Sequence, residues 1–184
     1  MTEQIDEIDA IMSSGDIGIS GEGLTPVSRD EDVRKVETDI VKSKMNYELS
    51  FGDITTAFRA GRRPCYLAPD KRPIRVRISR PDLARDILNA ARTVKPQHLF
   101  VNEWLTPTRS RFLATLRQAK RQFPQSIAAC GSQSGRVYVW VKPPNGDGRN
   151  VKTIIDSERK LDEFCSKSFN LKACELLAQR PQQH

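Results

Sequence analysis

The sequence predicts an α+β fold, in which a four-stranded antiparallel sheet is followed by a smaller α/β domain. The first observation is the segment Lys71–Ser79, which alternates apolar and polar residues as a half-buried strand does. The second is the order of elements in residues 15–105, which reads strand, helix, strand, strand, helix, strand. The third is a further helix, a hairpin, and a final strand and helix within residues 106–180.

The Lys71–Ser79 strand has one basic face. Its apolar side consists of three branched residues, Ile74, Val76 and Ile78. Arg75 and Arg77 lie on the opposite side, which indicates either a surface that meets a negatively charged ligand or a solvated outer face. The ligand interpretation requires that neither arginine is covered by a helix or neutralised by a carboxylate.

The chain begins with an acidic stretch, residues 1–14, in which Ile5, Ile8 and Ile11 recur at helical spacing. Because so short a helix is not stable alone, these residues are predicted to form a flexible or truncated helical tail. A strand is predicted next at Asp16–Gly23, with alternate isoleucines facing inward.

An amphipathic helix is predicted from Asp30 to Met45. Ser28 and Glu31 have the spacing of a capping box. Its apolar residues repeat at the period of 3.6, at Val33, Val36, Ile40 and Val41. The acidic residues of this helix are interpreted as capping and solvated groups.

Two more strands, Ile54–Gly61 and His98–Leu105, and a helix between Pro81 and Pro96 complete the split β-α-β pattern of ferredoxin-like and RNA-recognition-motif folds. Two helices cover one face of such a sheet and leave the other open. Aromatic residues on the central strands of an RNA-recognition motif stack on bases. Small residues and arginines hold those places here, so phosphate contacts with weak base discrimination are predicted.

The second domain is predicted to start with a helix that Thr106 caps and that ends near Phe123, with Arg111 on its polar side. A hairpin follows at Ser126–Lys142, with Gly131 and Gly135 bracketing its turn. Its second arm carries one basic and aromatic face, made of Arg136, Tyr138, Trp140 and Lys142. The two rings offer a stacking surface for bases, or else are buried against the helix. The last residues, 181–184, are predicted to fray.

Charge is distributed unevenly along the 184 residues, whose net charge is +7. Residues 1–53 hold 5 basic and 13 acidic side chains, whereas residues 54–150 hold 19 basic and 5 acidic ones. Most of these basic residues are arginines, which suit bidentate phosphate contacts. A basic block of this size indicates a polyanionic partner.

Other classes are not supported. No P-loop, nucleophile elbow or cluster of carboxylates is present, so no enzymatic activity and no cofactor are predicted. The four cysteines lack the paired spacing of a zinc site, and no metal is expected. With neither a secretory leader nor an apolar run of membrane-spanning length, we expect a cytoplasmic or nuclear protein without membrane contact.

Six segments together resemble two related groups of proteins. In order they are FRAGRR, RPIRVRIS, RDILNAAR, LFVNEWLTPTRSRFL, GRVYV and VKTIIDSERKLDEF. They are similar to the nucleic-acid-binding protein encoded by the first reading frame of LINE-type retrotransposons, and to the baculovirus few-polyhedra protein. The likeness extends over roughly residues 17–164.

This resemblance implies an RNA-recognition-motif domain and a small C-terminal domain that hold single-stranded RNA or DNA in a basic cleft. It also implies particle assembly with RNA and nucleic-acid chaperone activity. The arginines that it assigns to binding are Arg59, Arg62, Arg63, Arg109 and Arg111. Two features depart from the family: only a stub stands where a long upstream coiled coil mediates self-association, and Trp104 occupies a place where small polar residues are more common.

The sequence therefore leaves three hypotheses. The first is a sequence-tolerant binding module for single-stranded nucleic acid. The second is an adaptor that keeps the fold and docks a protein partner through the sheet or the hairpin. In the third, the acidic N-terminal segment folds back on the basic cleft and competes with nucleic acid, so that deleting residues 1–14 would tighten binding.

Overall fold

The computed structural model describes residues 2–12, 15–24, 31–61, 71–143, 148–170 and 173. The chain divides into two compact units, one comprising Met12–Trp104 and the other Met1–Ile11 together with Leu105–His184. Helices and two antiparallel sheets make up these units, which agrees with the predicted α+β class. Residues 1–11 thus belong to the second unit, whereas the sequence assigns 1–14 to a separate tail.

The described residues form the predicted elements with shorter bounds. The α-helices are α1 (Thr2–Met12), α2 (Val33–Met45), α3 (Pro81–Val94), α4 (Pro107–Gln122) and α5 (Glu158–Phe169). The strands are β1 (Asp16–Ser20), β2 (Ile54–Arg59), β3 (Ile74–Ile78), β4 (Phe100–Glu103), β5 (Ile127–Gln133), β6 (Arg136–Val141) and β7 (Val151–Ile155). Element ends are the least predictable part of a sequence, because both helices and strands fray there.

The first unit contains an antiparallel sheet in the order β2-β3-β1-β4, so β1 and β3 are its central strands. Branched side chains of these strands fill the core against α2 and α3, as their alternation predicts: Ile17, Ile19, Ile74, Val76 and Ile78. All five are buried, which is the main source of stability for a sheet of this size. The opposite face of the sheet carries the polar residues of the same strands.

Helix α2 differs from its prediction in two respects. Asp32 caps it by accepting a hydrogen bond from the backbone N–H of Arg34 at 3.1 Å. Ser28, the predicted cap, lies outside the described residues. Glu37 is completely buried, and among the described residues neither of its carboxylate oxygens has a hydrogen-bond partner. The expectation that the acidic residues of this helix are all capping or solvated groups is therefore wrong for Glu37.

The second unit contains the antiparallel sheet β5-β6-β7, with α4 and α5 on one of its faces. Val137 and Val139 of β6 are buried in this core beside Phe112, Leu116 and Leu161. The turn of the predicted hairpin consists of Ser134 and Gly135, both with positive φ. Gly131 lies within β5 and not at the turn, which corrects its predicted position.

Helix α1 bonds through its acidic residues to the start of α4. Asp6 accepts a hydrogen bond from the hydroxyl of Thr106 at 2.7 Å and another from Arg109 at 3.1 Å. Glu7 accepts from the same arginine at 3.2 Å. An isolated helix of this length is marginal, and these contacts supply the support that the segment lacks alone.

Candidate nucleic-acid interface

The uncovered face of the β2-β3-β1-β4 sheet is built by alternate residues of four strands. They are Thr56, Phe58, Arg75, Arg77, Asp16, Gly18, Ser20, Phe100 and Asn102. Arg75 and Arg77 project from this face, as predicted, and remain partly exposed. We call this surface the open face of the first sheet.

Asp16 binds both arginines of the open face. Its Oδ2 accepts from Nε and Nη2 of Arg75 at 2.8 and 2.5 Å, and its Oδ1 accepts from Nε of Arg77 at 2.9 Å. The hydrogen bond to Asp16 raises the pKa of Arg77 above its ordinary value. Because one carboxylate serves two guanidinium groups, the trio keeps a single net positive charge. The requirement that no carboxylate neutralises these arginines is therefore only half met.

Two aromatic rings accompany Arg75 on the open face. The guanidinium carbon of Arg75 lies 5.9 Å from the ring centroid of Phe58 and 5.4 Å from that of Trp104. Both distances are those of cation–π contacts. The central strands lack aromatic residues, as the sequence indicates, but Phe58 on an outer strand and Trp104 just after another supply rings that sequence reasoning missed.

Arg59 is not part of the open face. Its side chain is 3% exposed and forms a bidentate ion pair with Glu31, with N–O distances of 2.6 and 3.2 Å. It pairs in register with Ile74, on the face that the helices cover. Arg59 is therefore not accessible to a nucleic acid in this conformation, and the role that the resemblance assigns to it stays a prediction. Arg62 and Arg63 lie outside the described residues.

The sheet of the second unit presents its own aromatic and basic face, opposite the face that α4 and α5 cover. Tyr138 and Trp140 lie side by side on this face, and Lys152 of the neighbouring strand lies over both rings. Its Nζ is 4.6 Å from the ring centroid of Tyr138 and 5.9 Å from that of Trp140. The alternative that these rings are buried against the helix is excluded, because the intervening valines fill that core.

Tyr138 also depends on a glycine in the strand beside it. A Cβ atom at Gly131 would lie 2.8 Å from the hydroxyl oxygen of Tyr138, so the ring extends directly over the backbone of β5. Glycine at this position therefore leaves room for the Tyr138 ring above the strand. Lys152 also belongs to this face, and sequence reasoning missed it. The sequence around Lys152 does not show that its strand pairs with the hairpin.

The other predicted basic residues of this face are exposed. Arg136 begins β6, and Lys142 follows its last residue while donating a hydrogen bond to the carbonyl of Pro124 at 2.9 Å. Within the described part of the chain, no carboxylate forms an ion pair with Arg136, Lys142 or Lys152. These three cations are therefore available to a polyanion, unlike the arginines of the first sheet.

Arg109 is buried and cannot contact a nucleic acid in this conformation. It is 2% exposed, and its three nitrogens donate to Asp6, Glu7 and the carbonyl of Gly135 at 2.9 to 3.2 Å. The structure does not place this residue on an accessible surface, and the binding role that the resemblance gives to it stays a prediction. The acidic N-terminal segment thus does contact a basic residue, but Arg109 is a buried structural residue of the second unit.

Arg111 lies on the exposed side of α4 and forms an ion pair with Glu158 of α5. Both side chains are more than half exposed, so the pair is open to exchange with a phosphate. Three further cations of the same helix, Arg117, Lys120 and Arg121, are exposed as well. This places Arg111 on an accessible surface, and its binding role stays a prediction.

Comparison with protein-family models gives no match, and comparison with curated proteins gives no significant match. Among the described residues, no three histidine, cysteine or acidic side chains come together as a metal site. No helix in this part of the chain has the length and apolarity that crossing a membrane requires.

Proposed function

We propose that this protein binds single-stranded RNA or DNA with little sequence preference. The observation that carries the proposal is the cluster of Tyr138, Trp140 and Lys152 on the uncovered face of the second sheet. Aromatic rings on an uncovered sheet face can stack on bases of any kind, and cations beside them contact the phosphates. Arg136 and Lys142 extend this basic edge along the same strand.

The first unit supports the same proposal. Its four-stranded antiparallel sheet, in the order β2-β3-β1-β4 with two helices against one face, supports an assignment to the RNA-recognition-motif type. Such folds bind single strands on the uncovered face of the sheet. The resemblance to the retrotransposon proteins extends the proposal to nucleic-acid chaperone activity and assembly of ribonucleoprotein particles. No enzymatic step and no cofactor form part of this function.

A salt titration tests the proposal. Arg136, Lys142, Lys152 and the single net charge around Asp16 provide about four phosphate contacts, for which a log–log salt slope near −2.8 is expected. Raising salt from about 50 to about 200 mM should then weaken binding about fiftyfold. The measurement is fluorescence anisotropy with labelled single-stranded RNA, single-stranded DNA and duplex. Absence of binding, or an affinity that salt does not change, would contradict the proposal.

Aromatic variants separate stacking from charge in the same assay. Changing Tyr138 and Trp140 together to alanine should weaken binding by at least tenfold, because each stacked base contributes about 1–3 kcal/mol. Phenylalanine at both positions should recover most of the affinity. Phe51→Ala removes another exposed ring, which lies under Arg34 of α2 and belongs to neither sheet, and should change little.

Asp16→Asn should strengthen binding at low salt. The substitution removes the negative charge that Arg75 and Arg77 share on the open face, so the salt slope should steepen by about 0.7. Asp82→Asn is the matched control, because it removes one carboxylate from an exposed pair with Arg80 elsewhere in the same unit. Equal slopes for both variants would show that no phosphate lies close to Arg75 and Arg77.

A protein-interaction adaptor is the second candidate function, and one observation favours it. Ile5, Ile8 and Met12 follow one another along one side of α1 and are 55%, 57% and 64% exposed. An apolar stripe of this kind is typical of a surface that meets another protein. A nuclease-resistant complex with a protein, in the absence of any mobility shift with nucleic acid, distinguishes this function from the first.

A further inference from the structure

The edge and the flat face of the Arg75 guanidinium group contact different neighbours. Along its edge, Nε and Nη2 donate to the Asp16 carboxylate. The guanidinium carbon meanwhile lies over the rings of Phe58 and Trp104. With its charge already paired, this arginine offers little to a phosphate and more to a planar ligand.

Trp104 takes the place of a stacking residue that the central strand lacks. An added Cβ at Gly18 would lie 2.9 Å from Cε3 of the indole, so the ring is seated against the backbone of β1. The backbone N–H of Trp104 donates to the carbonyl of Asp16 at 2.9 Å, which fixes where the side chain leaves the strand. Only glycine at position 18 permits this close approach.

Phe58 keeps much of its ring surface in solvent. It is 47% exposed, although apolar surface gains on the order of 25 cal/mol per Å² from burial. Phe100 is 64% exposed on the same face, near the other end of the sheet. A ring that served only to support Arg75 would be better covered, so these surfaces are suited to a ligand.

We infer that Phe58, Arg75 and Trp104 form a stacking site for an unpaired nucleobase of single-stranded nucleic acid. This inference rests on the proposed function and reverses the expectation for the first sheet, where phosphate contacts were predicted to dominate. The base lies on the two rings and the guanidinium group, and the phosphates contact cations outside this cluster. Since every base has a π-face, the site selects unpaired bases and not a sequence.

The test compares an oligo-dT of about 20 nucleotides with an abasic oligonucleotide of the same length, because only the first offers bases to stack. Binding is followed by anisotropy of a terminal label and by tryptophan emission in the Trp140→Phe chain, in which Trp104 is the remaining tryptophan. Oligo-dT is expected to quench Trp104 emission, and the abasic strand is expected to leave it unchanged.

The second part of the test is the variant Phe58→Ala. Phe58 is suitable because its exposed side chain can be removed without disturbing the core. The variant is expected to lose about 10- to 100-fold in affinity for oligo-dT and less than about twofold for the abasic strand. Phe51→Ala is the matched control and is expected to lose neither.

The outcomes separate this site from the proposed function. Oligo-dT that binds without quenching Trp104 and without sensitivity to Phe58→Ala would overturn the stacking site and leave the proposed function standing. Equal loss of both oligonucleotides in Phe58→Ala would also overturn it, since the contact would then not involve bases. Failure of the unaltered chain to bind either strand at low salt would reject the proposed function itself.

Discussion

Replacing Glu37 with methionine is expected to raise the free energy of unfolding, and to raise it further as the pH increases. Glu37 of α2 is completely buried, and neither oxygen of its carboxyl group has a hydrogen-bond partner in the part of the chain that the structure describes. Burial raises the pKa of Glu37 from 4.5 to about 8. Methionine has a similar length and helix propensity and requires no partner.

The sign of the pH dependence follows from the direction of this shift. Between pH 4.5 and 8 the folded state holds the Glu37 proton, because its folded pKa is raised, while the unfolded chain has released it. The free energy of unfolding is therefore highest below the unfolded pKa of 4.5. It falls as the pH rises, until the pH passes the folded pKa of about 8. The whole loss is on the order of 5 kcal/mol, at about 1.4 kcal/mol per pH unit.

Urea unfolding at pH 5, 6, 7 and 8 measures this effect. The gap between Glu37→Met and the unaltered chain should widen from about 1–3 kcal/mol at pH 5, the cost of an unpaired polar group, to several kcal/mol at pH 8. Asp39→Asn changes an exposed acid on the same helix and should stay within about 0.5 kcal/mol. Parallel pH curves for the Glu37 variant and the unaltered chain would show that the carboxyl finds a partner.

Glu37 also illustrates which parts of the fold are predictable from local pattern. The start of α4 at Thr106 and Pro107 and the inward valines of β6 follow from capping chemistry and period-two alternation. These rules concern neighbouring residues only. Whether an acid in an amphipathic helix is solvated or buried depends on which strand packs over it, and local pattern does not contain that information.

The position of Arg59 follows from an irregularity near the start of β2. Ile54 pairs with Ile78, but Thr56 already pairs with Arg77, so β2 contains a bulge between its first residues. The bulge reverses the faces for the rest of the strand. Phe58 consequently points to the open face and Arg59 to the helices, whereas strict alternation from Ile54 gives the opposite arrangement.

The candidate interface depends on pairings between distant segments. Asp16 and Arg75 are 59 residues apart, and their contact follows from the register of β1 against β3. Lys152 reaches Tyr138 through the register of β7 against β6 in the same way. The sequence of a strand shows whether one of its faces is polar. Which side chains of neighbouring strands meet on that face, and so which charges are paired, depends on the register between the strands.

Changing Arg109 to alanine is expected to destabilise the second unit by about 3–5 kcal/mol, the usual cost of breaking a buried ion pair. The substitution would leave Asp6 without its guanidinium and the buried Gly135 carbonyl without a donor. The bonds of Asp6 and Glu7 to Arg109 contribute to holding α1 in place, so its amide protons should exchange faster. Chemical denaturation and hydrogen exchange of residues 2–12 measure these two effects.

Arg111→Ala is the control that distinguishes a structural arginine from a ligand-binding one. This residue lies two positions further along α4, but its pair with Glu158 is exposed, so its loss should cost less than about 1 kcal/mol. At a temperature where both variants are folded, Arg111→Ala should weaken nucleic-acid binding more than Arg109→Ala does. Reduced affinity in Arg109→Ala at unchanged stability would contradict this assignment, because it would mean that α1 leaves Arg109 and that a phosphate replaces its carboxylates.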